Sequence, residues 1–289
     1  MSTPSSRKPR PYWHVDAKWL TGMLLVIVLW FTFLTYNLYQ ITAEEPGIDF
    51  LTMALASAFS QTGGGLDQVG DVELMREKVL ESPDGSWQPI EGLNIIVYAE
   101  DIADLSPREA RLWFFRQWAE PLYYKGPSGL AALADDPEMQ TSIEEGSGML
   151  ALVSAETHTQ LAGFLGVLAL VSAGLMGLLV LFSYRFGRLG SPGCAIFLAA
   201  LPGLILLPIQ GSLTEAPETQ AAGEQLTTSV FLTSVLGDAL PVVIDILLRS
   251  YLTFLLIGFA LMVVAVLGTL FIRPKKTALP KAAPDADLG

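Results

Sequence analysis

Residues 19–39 read WLTGMLLVIVLWFTFLTYNLY, a run with no formal charge. A helix rises 1.5 Å per residue and needs about 20 mostly apolar residues to cross about 30 Å of hydrocarbon, and this run supplies them. It is too long for the apolar region of a signal peptide, it carries Trp30, Phe31 and Phe33, and it leaves through YNLYQITAEE (36–45), which lacks a small-x-small cleavage pattern. The expectation is an uncleaved anchor.

Residues 161–184, 194–213 and 251–272 meet the same test, again without a formal charge, and the rings of Trp19, Tyr36, Tyr39, Tyr184 and Tyr251 sit near the ends, where amphipathic aromatics favour the headgroup region. The chain is 51% apolar with a mean hydropathy of +0.45. Together these features predict a mainly α-helical membrane protein with four transmembrane helices and a small α+β extracytoplasmic domain between helices 1 and 2.

Positive charge sets the orientation. Arg7, Lys8, Arg10 and Lys18 lie in the tail 1–18, Arg185 and Arg188 in the turn 185–193, and Arg273, Lys275, Lys276 and Lys281 in the tail 273–289. Cytoplasmic segments are enriched in Lys and Arg, so both termini are expected in the cytoplasm, with 40–160 and 214–250 outside. Those two segments are acidic, with Glu44, Glu45, Asp135, Asp136, Glu144 and Glu145 in the first and Glu215, Glu218 and Glu224 in the second. The single cysteine, Cys194, rules out an intramolecular disulfide, which fits a prokaryotic plasma membrane better than a disulfide-rich cell surface. A net charge of −12 and a pI near 4.6 argue against nucleic acid as a partner, because phosphate contacts need clustered cations. The expected partners are the lipid bilayer and another membrane or envelope protein.

Helices in lipid associate through close approach at small residues. Ala169, Ala173 and Gly177 form such a stripe on the second span, and Ala195, Ala199 and Gly203 form one on the third. The connecting turn, YRFGRLGSPGC (184–194), is short enough to make the two helices antiparallel neighbours, so the stripes are expected to face each other. Pro202 and Pro208 should bend the third span.

Within 40–160 the pattern predicts an apolar helix over 47–60, a second helix over 72–80, a turn at Pro83, Asp84 and Gly85, and a strand over 93–98 (LNIIVY). Ser106, Pro107 and Glu109 combine an N-cap, a first-turn proline and a capping-box acid, so a helix should start there and end before Pro121. Its rings have two readings: core of a domain without disulfides, or a partner-binding face made of Arg111, Trp113, Phe114, Trp118, Tyr123 and Tyr124. Residues 149–153 are a candidate second strand, and Ser154 or Thr157 a cap for the helix leading into the second span. In the second loop, 225–240 is amphipathic and predicts an interfacial helix, broken at Pro241, before an outward extension of span four on which Asp245 and Arg249 pair.

No catalytic, cofactor or metal motif is present: there is no Walker A, GxSxG or HExxH pattern, and the two histidines, His14 and His158, fall on opposite sides of the predicted membrane. The layout is similar in topology to that of the cell-division ABC-type permeases, which pass a cytoplasmic signal outward, although the turn 184–194 is too short for a coupling helix. The expected function is that of a non-enzymatic accessory, sensory or assembly component whose acidic outer domain binds a protein or envelope partner. The alternatives are a transporter or permease subunit using the proline-bearing third span, and a membrane-bound enzyme acting on lipid or cell-wall precursors through Glu100, Asp101 or Asp104.

Overall fold

A computed structural model describes residues 13–58, 70–89, 92–148, 150–183, 186–208 and 228–271. Four helical segments, Val15–Ile41, Ala155–Phe182, Gly187–Pro208 and Leu240–Phe271, are long and apolar enough to cross a membrane. They belong to α1 (Trp13–Ile41), α8 (Ala155–Phe182), α9 (Gly187–Ala200) with the 3-10 turn Leu201–Ile205, and α10 (Thr228–Phe271). Between α1 and α8 the chain forms α2 (Glu44–Ala58), α3 (Gly70–Glu81), β1 (Ser86–Trp87), β2 (Val97–Tyr98), α4 (Ala99–Ile102), α5 (Pro107–Lys125), α6 (Pro127–Ala131), α7 (Pro137–Gly146) and a 3-10 turn, Leu150–Leu152. Among the described residues this inserted domain is mainly helical, with one two-stranded antiparallel ribbon.

The spans present their large apolar side chains outward: Trp19 is 71% exposed, Leu170 76% and Phe271 82%. Such a surface is sustainable against acyl chains and not against water. Inside the bundle, Leu25, Leu29 and Phe33 of α1 meet Leu179 of α8, Ala195 and Ala199 of α9, and Tyr251 of α10. The α9–α10 seam is a backbone contact. A Cβ at Gly258 would lie 2.6 Å from the Phe197 nitrogen, and one at Gly193 would lie 2.7 Å from Leu261 Cβ.

This seam corrects the expected pairing of stripes. Ala195, Ala199 and Gly203 are buried, but Gly203 lies against Tyr251 of α10. Ala169, Ala173 and Gly177 of α8 are exposed, and a Cβ at Gly177 would meet nothing within 4 Å. The short turn fixes α8 beside α9 without fixing its rotation. α8 turns toward α1 the face bearing Ser172 and Leu179, whose burial is joined by a 3.1 Å hydrogen bond between the Ser172 and Thr32 hydroxyls. Ala173 lies about 100° round the helix from Ser172.

α10 runs unbroken for 44 residues with Pro241 inside it. The expected break at that proline is absent, and the expected interfacial helix is part of α10 from residue 228 onward; residues 225–227 lie outside the described residues. At 1.5 Å per residue α10 is about 66 Å long, roughly twice the hydrocarbon thickness. Its extension packs on α2, with Ile244 and Leu248 buried. Proline forfeits one helix hydrogen bond, a local loss that this packing offsets. After α9, Pro202 lies in the first turn of the 3-10 segment Leu201–Ile205.

The domain core gathers Leu51 and Leu55 of α2, Val72 and Val79 of α3, Val97 of β2, and Phe114, Trp118 and Leu122 of α5. The α5 start matches its sequence signature: Ser106 Oγ accepts the Glu109 N–H, and the Glu109 carboxylate accepts the Ser106 N–H at 2.9 Å. Its end does not. α5 continues through Pro121 to Lys125, since Leu122 and Tyr123 are buried, and stops where Gly126 adopts φ +67°. The LNIIVY segment alternates as a strand, with Leu93, Ile95 and Val97 buried and Asn94, Ile96 and Tyr98 exposed. Only Val97–Tyr98 forms a ladder, against Ser86–Trp87, and Leu93 bridges to Ala134. The second candidate strand is the 3-10 turn Leu150–Leu152, ahead of Ser154, whose side chain caps α8.

Candidate functional site

The aromatic helix α5 faces inward. Phe114, Trp118 and Tyr123 are buried, so the expected interaction face of Arg111, Trp113, Phe114, Trp118, Tyr123 and Tyr124 does not exist as one surface. With few strands and no disulfide, the domain draws on these rings for its core, each worth a large apolar area. Arg111, 3% exposed, donates from Nη2 to the Ala56 carbonyl at 2.8 Å, near the C-terminus of α2, where the helix dipole favours a cation. Trp113 and Tyr124 alone of the six reach the surface, at different places.

Trp113 lines a cleft of about 320 Å³ with Asn94, Ile95, Ile96, Tyr98, Asp101, Gln117 and Leu133. The cleft joins two features that the sequence presents separately, the extended segment after Gly92 and the outer edge of α5. Among the described residues Asp101 is its one charged group, and its Oδ2 accepts the Tyr98 N–H at 3.4 Å as part of the α4 capping box. Glu100 and Asp104, the other carboxylates proposed after the strand, are exposed and do not line it. Among the described residues no group of three or more His, Cys, Asp or Glu side chains converges to hold a metal.

Tyr124 belongs to a second constellation, the elbow where α1 passes into α2. The Tyr123 hydroxyl donates to the Thr42 carbonyl at 2.9 Å, and the Tyr124 hydroxyl donates to Glu44 Oε1. A Cβ at residue 47 would lie 2.9 Å from the Tyr123 ring, so the clamp closes only over glycine there. From the α8 side, His158 stacks on Tyr39 with centroids 4.2 Å apart, and its Nδ1 lies 3.1 Å from the Tyr39 carbonyl and 3.3 Å from Thr42 Oγ1. With its proton on Nδ1 the imidazole donates to a carbonyl that α1 leaves unpaired at its C-terminus. Arg116 adds ion pairs to Asp49 at 3.1 Å and to Glu120 at 3.2 Å. The hydrogen bond to Glu44 raises the Tyr124 pKa from its ordinary value, and burial followed by the Glu44 charge raises that of Tyr123. Both phenols are therefore held neutral, as donors.

The sequence pattern gave no hint of the polar contacts inside the bundle. Asn37 is fully buried in α1; its Nδ2 donates to the Phe33 carbonyl at 2.7 Å, while its Oδ1 accepts from Ser250 of α10. A lone Asn in an apolar run carries no formal charge, and its partner lies far along the chain. The Asp245–Arg249 pair forms at 3.3 Å, with both side chains more than half exposed. Comparison with known protein families, with curated proteins and with solved structures finds no match to this chain.

Proposed function

We propose that this chain is a non-enzymatic accessory or sensory component of a prokaryotic plasma membrane, whose inserted domain lies outside the cell and binds a membrane or envelope protein. The positive charges flanking the spans support that orientation, since Arg7, Lys8, Arg10, Arg185, Arg188, Lys275 and Lys276 all fall on one side of a four-span chain. The observation that carries the reading is the elbow. Tyr123, Tyr124 and His158 hold the α1–α2 turn from two sides while the α10 extension packs on α2, so the domain is joined to three spans by side-chain contacts. A partner that moves the domain then biases the packing of the spans, a linkage that needs no cytoplasmic domain of its own.

Cross-linking in native membranes, followed by purification in mild detergent, tests it. A partner recovered in fixed proportion, and lost when the inserted domain is masked by an antibody fragment, is the expected result. Repeated recovery of the protein alone would contradict the proposal.

A further inference from the structure

The cleft beside Ile96 contains an unfilled strand edge. β2 pairs Val97 with Trp87 of β1, and the Ala99 N–H donates to the Gly85 carbonyl at 3.1 Å. In an antiparallel ladder the backbone groups of successive residues point to alternate sides, so those of Ile96 face the opposite edge. That edge is occupied two residues earlier, where the Asn94 N–H donates to the Leu133 carbonyl at 2.7 Å and the Asp135 N–H to the Gly92 carbonyl at 2.8 Å. The pairing stops at Leu133, because the chain before it is wound into α6. Among the described residues the Ile96 N–H and C=O have no backbone partner. The cleft opens here, walled by Tyr98 and Trp113, with Asp101 as its charged group.

We infer that this edge is a docking groove for an extended segment of a partner protein, which adds as a short strand on Ile96 and carries a Lys or Arg next to an apolar side chain. An extended peptide is the ligand that offers an N–H and a C=O together at strand spacing. Ile96, 44% exposed, and the Trp113 ring supply the apolar contact. The cation follows from charge: among the described residues no basic side chain lines the cleft, and residues 40–160 hold 21 acidic against 6 basic side chains. Such a field speeds the approach of a cationic partner, and a Lys or Arg end group can lie over the Trp113 ring beside Asp101. The inference rests on the partner-binding function proposed above and names the chemical class of that partner.

The test uses the protein in lipid nanodiscs and short fluorescent peptides of alternating Val and Thr, flanked by Lys or by Glu. The Lys-flanked peptide is expected to bind, and the Glu-flanked one to bind at least about tenfold more weakly. Ile96→Pro removes the N–H at an edge position, where proline is tolerated, and should weaken binding about tenfold. Trp113→Ala should weaken it comparably, and N-methylation of the central peptide residue should reproduce the loss on unaltered protein. Equal binding of the Lys and Glu peptides, or indifference to both Ile96→Pro and N-methylation, would overturn the groove. So would binding of a neutral oligosaccharide that Trp113→Ala abolishes and Ile96→Pro spares. If cross-linking recovers the same partner from wild type and from Ile96→Pro, the groove fails and the function stands; if wild type recovers none, the function itself fails.

Discussion

The inserted domain and the span bundle place most of their large apolar side chains differently, although Leu25, Leu29 and Phe33 are buried within the bundle as well. The domain packs Phe114, Phe115, Trp118 and Leu122 at its centre, whereas the bundle turns Trp19, Leu170 and Phe271 outward and keeps Ala195, Ala199, Gly203 and Asn37 inside. Water drives large rings together. Lipid does not, so helices that meet in it rely on close backbone approach and on hydrogen bonds between helices. One chain thus follows two packing rules, and the α1–α2 elbow and the α10 extension are where they join.

Substitutions at matched positions should break this contrast in graded ways. Trp118→Ala removes a ring that is 3% exposed and should destabilise the inserted domain by about 3–5 kcal/mol, read by chemical denaturation of the protein in nanodiscs. Gly258→Leu forces a side chain into the Phe197 backbone and should cost the bundle about 1–3 kcal/mol or separate α9 from α10, read by detergent unfolding. Asn37→Ala removes the interhelical acceptor of Ser250, leaving its hydroxyl only the Leu247 carbonyl of its own helix, and should cost about 1 kcal/mol in the same assay. Ala173→Leu adds bulk to the exposed face of α8 and should change stability by less than about 0.5 kcal/mol. A large loss at Ala173 would mean that α8 has a partner on that face and would blur the contrast.

The elbow adds a pH dependence. Tyr123 and Tyr124 titrate above their unfolded pKa, so the folded state retains their protons over a range where the unfolded state has lost them. Their contribution to stability is complete below the unfolded value of about 10 and declines as pH rises through the higher folded values. Thermal unfolding should therefore shift downward above about pH 10, and the shift should shrink in the Tyr123→Phe, Tyr124→Phe double variant.

Much of the architecture is legible in the sequence because hydropathy and capping are local. The four apolar stretches and the start of α5 at Ser106 need no distant contact to be read. Rotation about a helix axis is different: Ala169, Ala173 and Gly177 look the same from the sequence whether they face α9 or lipid, and the choice is made by Ser172 and Thr32 meeting across the bundle. Pro121 and Pro241 failed as stop signals for the same reason, since buried residues beyond each, Leu122 and Ile244, hold the helix on. The rings of α5 signal bulk without direction, and only packing on α2 assigned Trp118 to the core and left Trp113 at the cleft. Nothing local marks Ile96 as an open edge, because that depends on where the chain around Leu133 turns away.

The elbow and the α10 extension build the domain onto the spans instead of leaving it to hang from them. Pulsed electron paramagnetic resonance measures this directly, with spin labels at Glu138→Cys on α7 and Leu256→Cys on α10 in a Cys194→Ser background. A single narrow distance distribution that broadens when Tyr123 and Tyr124 are both changed to Phe is the predicted result. A broad distribution in the otherwise wild-type protein would contradict it.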